Sequence, residues 1–314
     1  MEFDWQRQKP FYDLRLAEIQ EVLVPSGIAV ASAIPIQEGL ANSNYFVETD
    51  EGRRMIFRVC QSEPDSKPLQ IAVARRLGRA IPMPSVVEEL PESPYLLMEW
   101  LPGRTMQARW ADGEQEQVLE AAHSIGLALA KIASHQMGTC GFLNPRLTVV
   151  EPWGNLYEAF NRYRSDHARE AYLMGRMSFE NLMATEGLWQ KWKEPMTAVM
   201  DQTCLSHGDF KASNLLIEDG RLSGVLDWDF VHAGTWLLDA GQVLRYLGDR
   251  REDFAERFAA GMIEGGMKLP DQWQEMARIV DLMNLVDFLG RAKIGDQQIL
   301  QITDLIETTI RDLT

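Results

Sequence analysis

The feature that most constrains this chain is a stretch that begins at Leu205 and reads LSHGDFKASNLLIEDGRLSGVLDWDF. Asp209 and Asn214 precede a short apolar run, and Asp227 follows a second apolar run. An Asp-Gly dipeptide separates the two runs, and this dipeptide favours a tight β-hairpin turn. Pairing of the runs therefore brings Asn214 and Asp227 close together, with Asp209 in the loop before the first strand.

This order of side chains suits phosphoryl transfer from a nucleotide. One carboxylate orients and deprotonates the attacking hydroxyl, while an amide and a second carboxylate hold the metal ion that spans the phosphates. We therefore predict that Asp209 is the catalytic base and that Asn214 and Asp227 bind Mg²⁺. Lys211 is predicted to neutralise charge on the transferred group. A hairpin with incidental acids is the alternative, but the complete pattern is hard to obtain by accident.

The same residues resemble the catalytic and metal-binding region of the aminoglycoside phosphotransferase and choline kinase family, which are small-molecule kinases. HGDFKASN at 207–214 resembles the catalytic loop of that family, and VLDWDF at 225–230 resembles its metal-binding strand end. The following segment, 232–246, has Asp239 at the position of a buried structural acid. Upstream, MIFRV, IPMPSVVEE and YLLMEWLPG, within residues 55–103, resemble the small lobe and its connection to the large lobe.

The resemblance implies an α+β, protein-kinase-like fold with two lobes. Residues 1–100 would form a nucleotide-binding lobe with a small antiparallel sheet, and residues 101–314 a mostly helical catalytic and substrate-binding lobe. The apolar patterns agree with this division. Short runs with turn signals from Ile28 to Cys60 predict strands, whereas three- and four-residue spacing from Val118 to Ile132 predicts a helix.

The resemblance also implies a set of nucleotide contacts. Arg58 stands where the family has a strand lysine that contacts the α- and β-phosphates, and an arginine differs from lysine in shape. Gln70 stands where an acid is expected on the next helix, and Glu63 and Asp65 are alternative partners for Arg58. Ser43, in the polar turn GLANSNY, is predicted to contact phosphate, although an ordinary hairpin turn explains this segment equally well.

Four further residues complete the predicted site. Glu99 and Leu101 would bind the base of ATP or GTP through main-chain atoms at the hinge between the lobes. His207 is predicted to be a structural hydrogen-bond hub rather than a proton shuttle. Strand alternation would direct Asp229 to the same side as Asp227, so that Asp229 either assists at the metal or caps the next turn.

Composition and charge narrow the range of partners. The net charge of −15, with no basic run, argues against nucleic acid. Residues 101–314 carry 21 basic and 31 acidic side chains, which favours either a cationic acceptor or simple solubility. The polar start of the chain argues against a secretory signal. The lack of a long apolar stretch argues against a membrane span. We expect a cytoplasmic protein with reduced cysteines, as a monomer or weak homodimer.

The sequence thus predicts an ATP- or GTP-dependent kinase that phosphorylates a small-molecule hydroxyl by direct transfer. An aminoglycoside-type antibiotic, an amino sugar or an amino alcohol is the expected acceptor. Two alternatives come from other functional classes. A pseudokinase-like nucleotide- or ligand-binding module would tolerate the departures at Arg58 and Gln70. A metal-dependent hydrolase would use His207, Asp209 and Asp227 as ligands, although it would need a further ligand.

Overall fold

A small antiparallel sheet forms the first part of the molecule. A computed structural model describes residues 9–37, 42–61, 66–90 and 93–314. The sheet has the strand order β1-β2-β3-β5-β4. Its strands are β1 (Val30–Ile36), β2 (Ser43–Thr49), β3 (Arg54–Val59), β4 (Val86–Glu88) and β5 (Tyr95–Glu99). The antiparallel sheet predicted from the apolar runs is confirmed.

Alternation along the strands gives this sheet two different faces. On one face, Phe57 is fully buried and packs in an apolar cluster with the helix α1 (Leu16–Leu23). On the other face, the cross-strand pairs Asn44–Arg58 and Phe46–Ile56 connect β2 and β3. The second face therefore carries polar side chains at one end and apolar side chains at the other.

The helix α2 (Ser66–Leu77) packs against the small sheet and also against the helical part of the molecule. Ile71 joins a small apolar cluster with Leu96 and Met98 of the sheet. Leu69 and Val73 belong to the large core that the other helices form. The predicted domain boundary at residue 100 follows the end of β5 and stays a prediction.

Helices form most of the remaining chain. They are α3 (Met106–Ala111), α4 (Gln115–Ala133), α5 (Leu156–Leu173), α6 (Phe179–Lys191), α7 (Lys193–Met200), α8 (Trp236–Leu244), α9 (Arg251–Glu264), α10 (Trp273–Gly290) and α11 (Asp296–Leu313). The apolar stripe of α4, which includes Val118 and Ile132, is fully buried, as the spacing predicted. None of the helices in the described residues combines the length and apolarity that crossing a membrane requires.

Two smaller sheets lie within this helical part. The hairpin of β10 (Leu215–Glu218) and β11 (Arg221–Val225) pairs with β6 (Arg104–Thr105). Between its strands, Asp219 and Gly220 have φ values of 48° and 67°, as a tight hairpin turn requires. The other sheet has the order β8-β7-β12-β9. Its strands are β7 (Gly141–Leu143), β8 (Val149–Pro152), β9 (Cys204–Ser206) and β12 (His232–Gly234).

Candidate active site

The candidate catalytic loop, residues 207–214, connects β9 to β10. The Asn214 amide nitrogen donates to the backbone oxygen of Asp209 at 2.9 Å and to its carboxylate at 2.8 Å. Lys211 Nζ lies 3.2 Å from the other carboxylate oxygen of Asp209. The Leu226 N–H donates to the Asn214 carbonyl at 2.8 Å, which joins the two ends of the hairpin. Asp209, Lys211 and Asn214 are therefore together, next to the residue that precedes Asp227.

Asp239, in the first turn of α8, fixes the start of this loop. Its two carboxylate oxygens accept hydrogen bonds from the backbone N–H groups of His207 and Gly208, both at 2.8 Å. The side chain is fully buried. Burial raises the pKa of Asp239, while the two backbone donors act in the opposite direction. Asp239 is thus buried and holds the backbone at the start of the loop, and its structural role at the site stays a prediction.

Gly208 allows the loop to approach the segment after Asp227 very closely. Its φ is +81°, and a Cβ atom there would lie 2.3 Å from the carbonyl oxygen of Phe230. Any larger residue would therefore be strained in its backbone and would collide with Phe230. Gln242 holds the same part of the loop, because its amide donates to the Gly208 carbonyl at 2.9 Å and accepts from Phe210 N–H at 2.6 Å.

His207 has both ring nitrogens in hydrogen bonds. Nδ1 lies 3.1 Å from the Asp209 N–H and accepts from it, so Nε2 carries the proton and donates to the Leu226 carbonyl at 3.0 Å. Burial lowers the pKa of His207 to about 4, which keeps the ring neutral. This is the pattern of a structural hub. Because neither nitrogen is available to a metal, the geometry argues against the hydrolase alternative.

Asp227 has an unusual backbone and a crowded electrostatic environment. Its φ is 64°, a value that residues other than glycine seldom adopt and that is often found at functional sites. Its carboxylate lies 3.3 Å from Arg58 Nη1. Burial raises the pKa of Asp227 to about 6; Arg58 lowers it, and the carboxylates of Asp229 and Asp209 raise it.

These residues fit a hard divalent cation. The amide nitrogen of Asn214 donates a hydrogen bond to Asp209, so the amide oxygen lies on the other side of the planar group. An amide oxygen and carboxylate oxygens are the donors that Mg²⁺ prefers. A bound cation would also relieve the repulsion among the three carboxylates of Asp209, Asp227 and Asp229.

Arg58 contacts the predicted helix residue. Its guanidinium donates to the Gln70 amide oxygen and to the Asn44 amide oxygen, each at 3.0 Å. The alternative partners Glu63 and Asp65 lie outside the described residues, as do residues 38–41 of the polar turn. The expected Arg58–Gln70 hydrogen bond is present.

Asp229 requires a correction. Strand alternation does not apply to it, because Trp228–Phe230 forms a single 3₁₀ turn. Its carboxylate accepts a hydrogen bond from Asn42 at 2.7 Å and another from Gln70. Asp229 is therefore directed to the small sheet and α2, instead of lying beside Asp227 on the face of a strand.

The prediction for Ser43 is also wrong, because Ser43 lies on the opposite face of β2 from Asn44. The side chain is fully buried; its hydroxyl donates to Gln61 at 2.7 Å and accepts from the Tyr12 N–H at 2.8 Å. Successive residues of a strand point to opposite faces, so a shift of one position changes the face. Asn44, which accepts a hydrogen bond from Arg58 at 3.0 Å, is the residue that lies on the same face as Arg58.

The hinge residues lie where the small sheet ends. Glu99 is the last residue of β5, and its N–H and carboxylate contact Ser85 at 2.9 and 2.8 Å. Leu101 packs against β11, where a Cβ at Gly224 would lie 2.8 Å from Leu101 Cδ1. The main chain from Glu99 to Leu101 therefore passes from the small sheet to the hairpin that carries Asn214.

Sequence reasoning missed Gln242 and Asn44 as supports of the site. Gln242 lies three residues after Asp239 in α8, and residues three apart share one face of a helix. That spacing was a usable signal for Gln242. Asn44 lies across from Arg58 in the strand pairing, a contact that depends on the register between β2 and β3.

Residues 32–277 match the model of the phosphotransferase enzyme family. The chain belongs to this family. The predicted enzyme class, a small-molecule phosphotransferase, is therefore confirmed at the level of the family.

One protein that is similar in sequence is a kinase. A homoserine kinase from Polaromonas naphthalenivorans (strain CJ2) is 22% identical over 205 residues, which cover 65% of this chain and 61% of that kinase. The matched region thus spans less than two thirds of that relative's length.

Solved structures show the fold. A thermostable mutant of aminoglycoside phosphotransferase APH(4)-Ia, in a ternary complex with ADP and hygromycin B, superposes with a TM-score of 0.68. It is 18% identical, and the match covers 93% of this chain and 98% of that chain. The macrolide 2'-phosphotransferase MphH from Brachybacterium faecium has a TM-score of 0.61 at 15% identity, with 95% and 97% covered. The predicted α+β, protein-kinase-like fold is confirmed.

Proposed function

We propose that this phosphotransferase transfers the γ-phosphoryl group of ATP, or of GTP, to a hydroxyl group of a small molecule. The observation that carries the proposal is the meeting of Asp209, Asn214 and Asp227 beside Arg58. Asn214 contacts the Asp209 carboxylate at 2.8 Å, and Arg58 contacts Asp227 at 3.3 Å. A base, metal ligands and a phosphate-binding cation are the parts that such a transfer needs.

In the proposed reaction, the Asp209 carboxylate accepts the proton of the attacking hydroxyl. The hydroxyl oxygen bonds to the γ-phosphorus, while the bond between that phosphorus and the β-γ bridging oxygen breaks and ADP or GDP leaves. Asn214 and Asp227 would hold Mg²⁺, which supplies positive charge to the nucleotide phosphates when bound. Asn214 and Lys211 hold the Asp209 carboxylate from two sides, which orients it for the acceptor.

The proposed acceptor is an amino sugar, an aminoglycoside-type antibiotic or an amino alcohol. The excess of 31 acidic over 21 basic side chains in residues 101–314 favours a cationic molecule. The names of the similar proteins, among them a homoserine kinase and an aminoglycoside phosphotransferase, support a small hydroxyl compound. From composition, we propose that the enzyme acts in the cytoplasm as a monomer or weak homodimer.

Thermal unfolding with nucleotide tests the proposal first. Nucleotide at about 100 times its Kd adds about 2.7 kcal/mol to the free energy of unfolding, because it binds only the folded state. We therefore expect Mg²⁺ with ATP or GTP to raise Tm by several degrees. An unchanged Tm with both nucleotides at millimolar concentration would contradict the proposal.

A screen of hydroxyl acceptors then separates transfer from binding. Nucleotide-dependent phosphorylation of an amino sugar or amino alcohol is the expected result. Asp209→Asn should bind nucleotide but lose transfer, since it keeps the shape of the base and removes its proton affinity. Binding without transfer to any acceptor would favour the pseudokinase-like module instead.

A further inference from the structure

Polar side chains form a chain of hydrogen bonds from the small sheet to the candidate metal-binding segment, residues 225–230. Arg58 donates to the oxygen of the Gln70 amide at 3.0 Å. The nitrogen of the same amide donates to Asp229, and Asn42 donates to the second oxygen of Asp229 at 2.7 Å. Arg58 also contacts Asp227 at 3.3 Å. Both carboxylates thus come from the segment that follows the hairpin.

The orientation of the Gln70 amide is determined by its two neighbours. A guanidinium only donates hydrogen bonds, so it requires the amide oxygen. An ionised carboxylate only accepts them, so it requires the amide NH₂. Gln70 therefore connects a cation to an anion through one planar group. Its side chain is largely buried, as is that of Arg58, with 7% and 8% of each residue exposed.

Arg58 needs a carboxylate partner because it is buried. A buried cation without a compensating charge is strongly destabilising. The sequence of α2, SKPLQIAVARRL, contains neither Asp nor Glu. Burial acts to lower the pKa of Arg58, but Asp227 and Asp229 outweigh this effect and raise it. Among the described residues, the compensating charges of Asp227 and Asp229 come from the candidate metal-binding segment.

Of these two acids, Asp227 is the one that the proposed reaction assigns to the metal. A carboxylate that binds a divalent cation has less charge available for a neighbouring guanidinium. Asp229 accepts hydrogen bonds from Asn42 and Gln70, so its charge can continue to support Arg58 through the Gln70 amide.

We propose that Asp229 and Gln70 together take the place of the carboxylate that the described part of α2 lacks, and that they position Arg58 for the nucleotide phosphates. Asp229 is then a positioning residue that acts through Gln70. This inference rests on the proposed nucleotide site and adds to it the residues that orient its cation.

An exchange of the two functional groups tests the proposal. In Asp229→Asn, the new amide faces the donors of both Gln70 and Asn42, so one contact is lost. In Gln70→Glu, the new carboxylate faces the carboxylate of Asp229 and is repelled. In the double variant, Glu at 70 accepts from Arg58 and from the new amide at 229, which in turn accepts from Asn42. The double variant therefore restores every hydrogen bond with the same total charge.

The measurement is the Kd for Mg²⁺–ATP, by calorimetry without acceptor, together with nucleotide KM and kcat. Partners that orient metal ligands typically contribute about ten- to a hundredfold in affinity, and we take the lower end of this range for partners that orient a guanidinium. We expect each single variant to raise Kd and nucleotide KM about tenfold, with a much smaller change in kcat. The double variant should return both constants close to wild type.

The control is Glu307→Gln, which removes a carboxylate that accepts from the Asn181 amide at 3.0 Å on α6 and α11. This variant should leave nucleotide binding unchanged. Two results would overturn this inference and leave the proposed function intact. One is an unchanged Kd for Mg²⁺–ATP in the single variants. The other is a double variant that binds Mg²⁺–ATP no more tightly than the single variant with the higher Kd. Failure of the wild-type protein to bind ATP or GTP would overturn the proposed function, and this inference with it.

Discussion

Replacing Asp239 by alanine should destabilise the protein and loosen the candidate catalytic loop. The Asp239 side chain is fully buried and accepts the backbone N–H groups of His207 and Gly208, both at 2.8 Å. In Asp239→Ala both donors lose their acceptor. Asp209 follows directly after these two residues, so the change acts on the proposed base through its own backbone.

The size of the effect follows from two opposing contributions. Each buried donor left without a partner costs about 1–3 kcal/mol, which gives about 2–6 kcal/mol for two. Removal of a buried carboxylate acts in the other direction, because burial raises the pKa of Asp239 and disfavours the ionised form in the fold. We therefore expect a net loss of about 2–4 kcal/mol in the free energy of unfolding. This corresponds to a decrease in Tm of about 4–8 °C.

Calorimetric unfolding and hydrogen exchange measure this effect. The amides of His207 and Gly208 should exchange faster than in the wild type, beyond the change that lower global stability produces. Asp166→Ala is the matched control, since Asp166 is an exposed residue of α5. Its effect should stay within about 0.5 kcal/mol.

The reasoning fails if Asp239→Ala unfolds at the wild-type temperature and keeps both amides protected. It also fails if the loss is no larger than that in the Asp166 control. If Tm falls as expected, kcat should fall more than the affinity for nucleotide, because the affected loop carries the proposed base.

Further predictions concern charge and protonation at the site. Asp209→Asn should lower kcat by orders of magnitude and change nucleotide affinity little, whereas Asp227→Ala should weaken Mg²⁺–nucleotide binding itself. Calorimetry and steady-state kinetics distinguish the two effects. If the two variants showed each other's phenotype, the assigned roles would be reversed. The pKa of His207 is lowered to about 4 in the fold, so unfolding takes up a proton between pH 6.5 and 4. Stability should therefore fall by about 3 kcal/mol as pH decreases through this window, and a His207→Gln variant should lack that part of the pH dependence. If the acceptor is cationic, its kcat/KM should decrease with ionic strength through KM; a salt-independent KM would exclude electrostatic steering and leave the kinase assignment unaffected.

The hairpin that supports the site was predictable because its signals are local. Asp219 and Gly220 have the backbone angles that their sequence favours, and β10 and β11 pair from Leu215–Val225 to Glu218–Arg221. Once that pairing is given, the Asn214 carbonyl and the Leu226 N–H must meet. Short-range turn chemistry therefore determined which polar residues converge.

Ser43 and Asp229 show where local reasoning fails. The turn that contains Ser43 has three consecutive polar residues, Asn42, Ser43 and Asn44, so composition alone does not indicate which of them lies on the same face as Arg58. The register of β2 with β3 decides this, and it pairs Ser43 with Val59 and Asn44 with Arg58. Asp229 follows an apolar strand, but the chain turns into a 3₁₀ turn instead of continuing the strand.

The partner of Arg58 was hard to predict for a different reason. A search near Arg58 in the sequence looks for an acid, whereas the two shortest side-chain hydrogen bonds of Arg58, at 3.0 Å, go to the neutral amides of Asn44 and Gln70. The acids that balance the charge, Asp227 and Asp229, are distant in sequence. Because the described part of α2 supplies no carboxylate, separation of the small sheet from the candidate metal-binding segment would leave Arg58 without these two charges. The orientation of Arg58, the proposed phosphate contact, should therefore depend on its contacts with the candidate metal-binding segment.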